Sequence, residues 1–213
     1  MNAGGGRNDF PKTKRAEMPQ QTTDIHELIA SRRSIRQFGA QEVPRALLEK
    51  FVDAGRLAPS AANLQPLEFV VVDDPAVRAE LFPCLKWAAY IHPRGNPEPG
   101  REPAAYVVVL VNMNIREKMF EYDVGAAVEN MSLAAAGEGI AGCWLISIDR
   151  PEIQTILGIP GHFRVDSVLA LGFPAETSVV EEYRDSPKYW KDEAGLFHVP
   201  KRDRASVAHY NKY

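Results

Sequence analysis

Two cysteines in 213 residues, Cys84 and Cys143, are too few for a disulfide framework, and neither stands at zinc-ligand spacing from a histidine. Excess positive charge is lacking too. The 25 Lys and Arg against 28 Asp and Glu leave a formal net charge of −3, which argues against sequence-independent attraction to nucleic acid. No uninterrupted apolar run approaches a membrane span. The N-terminal MNAGGGRNDFPKTKRAEMPQQ carries basic residues but no apolar stretch of a secretory signal. We therefore expect a soluble, cytoplasmic protein that partners neither membrane nor nucleic acid. Its local basic clusters then read as sites for particular anions.

Apolar content of 45% and charged content of 25% are those of an ordinary globular protein. A chain this long buries roughly 70% of its unfolded surface and needs no metal or disulfide staple. Residues 1–21, rich in glycine and polar groups, are expected to form a disordered tail, and 22–213 a single domain. Ile25, Leu28 and Ile29 follow helical spacing, with Asp24 and Glu27 suited to the first turn. A second helix is expected from Pro44 to Arg56, with Leu47, Leu48, Phe51 and Val52 on its apolar face. Strand-like runs at Glu68–Val72, Ala104–Val111, Cys143–Ile148 and Asp166–Gly172 alternate with helical patterns at 75–82, 116–137 and 150–157. Alternation alone suggests a doubly wound α/β sheet. Small residues around Asp123–Gly137 suit a buried core helix or one at a subunit interface. Prolines and glycines break the pattern between Cys84 and Pro103, as in a lid or binding loop. Trp87, Tyr90, Arg94 and Arg101 could line a substrate there.

Gly137-Glu138-Gly139-Ile140-Ala141-Gly142 satisfies G-x-G-x-x-G, but in the wrong order: a helix leads in and a strand follows. These glycines are expected to end the helix rather than cradle a pyrophosphate. Two other stretches carry more chemistry. Arg32-Arg33-Ser34-Ile35-Arg36-Gln37-Phe38 packs three guanidinium groups and a hydroxyl at the end of a short helix, and guanidinium forks grip phosphate in two-toothed fashion. Pro59-Ser60-Ala61-Ala62-Asn63-Leu64-Gln65-Pro66 is a turn of small and amide residues that a flat, polar-edged ligand can approach. Together they fit a phosphate-bearing aromatic cofactor, flavin mononucleotide (FMN) foremost. A solvated basic helix end and a plain turn into a strand would look the same. The C-terminal Val199-Pro200-Lys201-Arg202-Asp203-Arg204 adds a second basic cluster that could converge on the same phosphate.

In this order the motifs resemble the nitroreductase family of flavin-dependent oxidoreductases. RRSIRQF at 32–38, APSAANLQP at 58–66, EFVVVDD at 68–74, DVGAAVENMSLAA at 123–135 and GIAGCWLISI at 139–148 carry the likeness. TILGIP at 155–160, LALGFPAE at 169–176 and VPKRDR at 199–204 complete it, so that it covers residues 23–213. The resemblance implies an α+β fold: a mixed, largely antiparallel central sheet flanked by helices, in an intertwined homodimer with FMN at the interface. It overrides the doubly wound reading. It further implies that Arg32 and Ser34 hold the FMN phosphate, with Arg33 beside the ribityl chain and Arg36 near the pyrimidine edge. Pro59, Ser60, Asn63 and Gln65 would contact the ring from the other subunit. Leu145, Ile146 and Ser147 would face the isoalloxazine, and Arg202 would return to the phosphate with Lys201 or Arg204. NAD(P)H would reduce the flavin in a ping-pong cycle, and a small organic acceptor such as a nitroaromatic or quinone would reoxidise it. The flavin does the chemistry, so no protein residue need be a catalytic acid, base or nucleophile. A non-catalytic flavin-storage protein, unusual flavin chemistry (dehalogenation, enone reduction, flavin breakdown) and a thiol enzyme built on Cys143 or Cys84 are the alternatives.

Overall fold

The computed structural model describes residues 24–213, so the tail expected at 1–21 lies outside the described residues. In chain order the elements are α1 (Ile25–Ser31), α2 (Arg45–Arg56), β1 (Leu67–Val72), α3 (Pro75–Leu81), β2 (Ala105–Asn112), α4 (Glu121–Gly137), β3 (Ala141–Leu145), α5 (Arg150–Ile156), β4 (Phe163–Gly172), β5 (Ser178–Glu182), β6 (Trp190–Lys191) and β7 (Phe197–Lys201). Asp24, Asp74 and Asp149 cap α1, α3 and α5 by accepting backbone N–H bonds within the first turn, the local signal that starts each helix.

β1–β4 form one sheet in the order β1-β2-β4-β3, and every pairing in it is antiparallel. The parallel topology suggested by helix–strand alternation is thereby corrected: α3 and α5 join antiparallel neighbours and return the chain to the end of the sheet it left, whereas α4 crosses from the end of β2 to the far end, where β3 starts parallel to β2 with β4 between them, so alternation along the chain says nothing of how neighbouring strands run. β2 is buried on both faces. Its Ala105, Val107, Val109 and Val111 pack with Leu48 and Phe51 of α2 and Val124, Val128 and Met131 of α4. Tyr106, Val108 and Leu110 turn to the other face, with Leu81 of α3 and Ile153 of α5. The result is a helix–sheet–helix sandwich with two cores.

The glycines at 137–142 end α4 and feed β3, as expected from their order. Ile140 N–H donates back to Ala135 O at 2.9 Å while Gly139 takes φ +73°. β3 stops three residues earlier than the sequence pattern suggests. The chain at 146–148 leaves β4 to pair with the 84–86 segment, where Lys86 N–H donates to Ser147 O at 3.0 Å and Asp149 N–H to Cys84 O at 2.8 Å. The 84–103 segment is irregular apart from short turns, one at Ala89–Ile91 and two closed by Asn96 N–H on Pro93 O and Arg101 N–H on Glu98 O. It is tied down by buried Gln37, whose Nε2 donates to Asn96 O (2.8 Å) and whose Oε1 accepts from Glu98 N–H (3.0 Å). A second sheet, β5-β7-β6, follows, with β5 and β7 parallel and β6 antiparallel to β7.

Candidate functional site

α1 ends at Ser31, and Arg32 leaves the helix with ψ 127°. The next residues run beside the free edge of β3. Ser34 bridges Gly142 in parallel sense, and Ile35 N–H donates to Gly142 O at 3.1 Å. Ile35 and Phe38 are buried and anchor this run. Arg32 and Arg33 are thereby fixed at the rim of a cleft of about 270 Å³, closed by Gly139–Gly142 behind and Glu176–Ser178 opposite. Burial, then the neighbouring charge of Arg32, pulls the Arg33 guanidinium below its ordinary pKa. Two crowded cations are a site an anion relieves. Arg32 Nε lies 3.1 Å from Glu129 Oε1 without hydrogen-bond alignment, and Ser178 Oγ, on the opposite wall, has no partner among the described residues. The cleft wall thus holds buried donors that the fold itself leaves unused, which fits a phosphate-sized occupant.

Ser34 adjoins the cleft through its backbone but does not line it. Arg36 turns elsewhere. Its N–H donates to Glu176 Oε1 at 2.6 Å, and its guanidinium lies over the rings of Tyr189 (5.3 Å) and Phe197 (5.0 Å). Glu176 is itself within 3.3 Å of Lys191 Nζ. The second sheet therefore wraps Arg36 in an aromatic and charged cage. Sequence reading missed Glu176, Tyr189 and Phe197 as partners of Arg36, and Lys191 as a second cation on Glu176 and Phe197. The GFPAE run contained Glu176, but nothing in it revealed its destination.

β3 leads away from this cleft along the sheet edge. From Gly142 to Leu145 is about 10 Å at the rise of a strand. Leu145 is buried, whereas Ile146 and Ser147 are exposed. Ser147 lines a further cavity of about 440 Å³ with Trp87, Lys86 and His92 of the 84–103 segment. Arg32, Arg33 and Leu145–Ser147 accordingly lie along one edge.

The Pro59–Pro66 residues sit apart. Pro59, Ser60 and Gln65 line a smaller cleft of about 160 Å³ with Asp123, the first-turn acid of α4. Asn63 stands in the same loop, and its carbonyl accepts from Gln65 Nε2 at 3.3 Å. Ser132, on the wall of the arginine cleft, follows Asp123 by about two and a half helical turns, so the two clefts flank opposite faces of α4. One chain does not bring these two groups together.

Nor does it bring the C-terminal cations to the arginines. Lys201 closes β7 opposite Glu182, about 13 Å along the strand from the Ser178–Phe197 pair beside the cleft. Arg202 donates to Ser206 O, and Lys201, Arg202 and Arg204 are all exposed. Both cysteines are buried, and burial pushes each thiol above its ordinary pKa, which disfavours the thiolate a thiol enzyme needs. Among the described residues, no cluster of His, Cys, Asp and Glu could hold a metal, and no helix is long and apolar enough to cross a membrane.

Comparison with known proteins converges on one group. The nitroreductase family model matches residues 29–173. A protein of Archaeoglobus fulgidus, provisionally named NADH dehydrogenase/NAD(P)H nitroreductase, is 31% identical over 158 residues, which is 70% of this chain and 84% of that one. An iodotyrosine deiodinase of Haliscomenobacter hydrossis is 24% identical over 197 residues, covering 81% of this chain and 89% of its own. The solved structure of an FMN-dependent nitroreductase from Clostridium difficile superposes with a TM-score of 0.65 at 22% identity, over 87% of this chain and 98% of that one, a likeness of fold alone. With the antiparallel sheet, the arginine run along its β3 edge and a family match spanning well over half its length, this chain belongs to the nitroreductase family of oxidoreductases.

Proposed function

We propose that this chain is an FMN-dependent, NAD(P)H-oxidising reductase of a small organic acceptor, a nitroaromatic or quinone. The observation that carries this reading is the arginine cleft at the β3 edge, with crowded cations and unused buried donors at one end and Leu145–Ser147 about 10 Å further along. Arg32 and Arg33, with Ser34, would hold the phosphate. Leu145, Ile146 and Ser147 would lie against the ring. FMN supplies a two-electron carrier between NAD(P)H and the acceptor, which use one pocket in turn.

What the chain contributes is binding, orientation and charge. Arg36, buttressed outside the cleft by Glu176, Tyr189 and Phe197, is a fixed cation, and where the pyrimidine edge of the bound ring reaches it, its field would favour negative charge on the reduced ring. Exposed Ser147 leaves the adjoining cavity open to substrates, with Lys86, Trp87 and His92 on its wall. Pro59, Ser60, Asn63 and Gln65 would reach the ring from a second copy of the chain. Lys201 or Arg204, with Arg202, would likewise reach the phosphate only after the C-terminal segment is rearranged or supplied by that second copy. The placement of the two clefts on opposite faces of α4 supports a homodimer.

Visible absorbance of the purified protein, FMN titration of any apo fraction, and NAD(P)H oxidation with a quinone test the reading together. Near-stoichiometric FMN and acceptor-dependent turnover are expected. A protein that does not bind saturating FMN removes the cofactor. Bound FMN without turnover favours a storage protein.

A further inference from the structure

We propose that Asp123 and Arg116 are positioning residues for the 58–66 loop, holding it in the one backbone shape that presents Pro59, Asn63 and Gln65 to the flavin. The inference rests on the FMN reading above. The loop is strained. Ala62, Asn63 and Gln65 take φ of 54°, 53° and 51°, the left-handed region that glycine occupies freely, asparagine tolerates, and alanine and glutamine resist. Three such residues in four positions persist only where their surroundings over-determine them. Keeping side chains at strained positions makes sense where those side chains are used.

The surroundings that impose this shape are polar and buried. Asp123 is 3% exposed. Its Oδ2 accepts from Ser60 Oγ–H at 2.9 Å and its Oδ1 from Ala61 N–H at 3.2 Å, so each carboxylate oxygen takes one loop donor. Ser60 Oγ in turn accepts from Gln65 N–H at 3.0 Å, closing the loop across its own mouth. Arg116 completes the frame, with Nη1 3.4 Å from both Ala61 O and Asp123 Oδ2 and Nε donating to Lys118 O at 2.9 Å. The Arg116 and Asp123 side chains are 11% and 4% exposed, so solvent screens their pairing little. Asp123 lies in the first turn of the 17-residue α4, where the helix dipole also favours a carboxylate. The loop's shape is therefore set by α4 and by Arg116 just before it, through the Ser60 hydroxyl and the backbone of Ala61.

The test uses full-length wild type, Ser60→Ala, Asp123→Asn, Asp123→Ala and the double variant Ser60→Ala/Asp123→Asn. FMN affinity, flavin midpoint potential and amide exchange at Ala61 and Gln65 are measured on each. Ser60→Ala and Asp123→Ala are expected to weaken FMN about tenfold, the loss of a charge-assisted bond. They should also speed exchange at Gln65 and shift the potential. Asp123→Asn, which keeps an acceptor, should recover part of each effect, and the double variant should cost less than the sum of its singles. Folded Ser60→Ala protein with wild-type FMN affinity, potential and Gln65 exchange would overturn the inference. Wild type that fails to bind FMN is a different result and overturns the cofactor reading itself.

Discussion

At the scale of single residues, the ionic contact that Arg32 makes and the one proposed for it carry very different weight. Its pairing with Glu129 joins side chains 29% and 51% exposed, and such surface pairs contribute about 0–1 kcal/mol. A charge-assisted bond to a phosphate is instead worth about 1.5–3 kcal/mol. Arg32→Ala is therefore expected to weaken FMN binding tenfold or more while moving the unfolding midpoint little, and Glu129→Gln to leave both nearly unchanged. Calorimetric titration with FMN beside denaturant unfolding checks both; unaltered FMN affinity in folded Arg32→Ala would remove Arg32 from the site. Arg32 and Arg33 could be singled out in the sequence because their chemistry is local, guanidiniums close together on the chain, and the fold does set both beside one cleft, but it turns Arg36 of the same run away from it. Asp123 and Glu176 could not be singled out. Each acts on a partner far along the chain, 63 residues away at Ser60 and 140 at Arg36, and their side chains alone gave no sign of which backbone they would serve.

Elements carry their own constraints, and Gly172 at the end of β4 is one. A Cβ there would sit 2.8 Å from Phe38 Cδ1 and 3.1 Å from Phe38 Cβ, and Phe38 is fully buried. Gly172→Ala should destabilise the fold by about 1–3 kcal/mol through overpacking. It should also loosen the 32–38 run that Phe38 anchors, read as a lowered denaturant midpoint together with weaker FMN binding. The second sheet has a pH dependence of its own. His198 of β7 has Glu181 of β5 at 2.7 Å on Nδ1 and Asp192 at 3.3 Å on Nε2, and its ring stacks on Trp190. Only the imidazolium has a proton for both carboxylates. Its bonds to Glu181, then to Asp192, raise the His198 pKa, while the Leu196 N–H, then His198, lower that of Asp192. A raised histidine pKa means stabilisation fully present below the unfolded value of about 6.5 and lost as pH climbs through the folded one. For Asp192 the sign reverses: stabilisation is present above its unfolded pKa, about 3.9, and lost as pH falls through the folded one. Amide exchange in β5 and β7 should therefore speed up above neutrality, beyond its intrinsic pH dependence, and His198→Asn should abolish that extra rise. None of this was readable in advance, because strand pairing alone brings residues 181, 192 and 198 together.

At the scale of the whole molecule, the helices and the four strands of the main sheet were legible from periodicity, but β5, β6 and β7 and the sheet's topology were not. Alternating elements are compatible with parallel and antiparallel sheets alike, and only the ordered set of motifs pointed to the right one. The same limit applies to the site. Sequence order placed Arg32 and Ser60 28 positions apart, yet α4 stands between their clefts, so residues near in sequence belong to different faces of the chain. If two copies share each flavin, Arg32 of one works with Ser60 of the other. A mixed dimer of one Arg32→Ala chain and one Ser60→Ala chain then carries both lesions in a single site and leaves the other intact. Its FMN titration should show half of the sites at wild-type affinity, although each parent homodimer binds weakly at both. Were the two groups to act within one chain, the mixed dimer would hold two singly damaged sites and recover none. Affinity-tagged heterodimers separated by a two-step purification, titrated beside the parents, distinguish the outcomes. A protein that stays monomeric at micromolar concentration with FMN bound would exclude the shared site altogether.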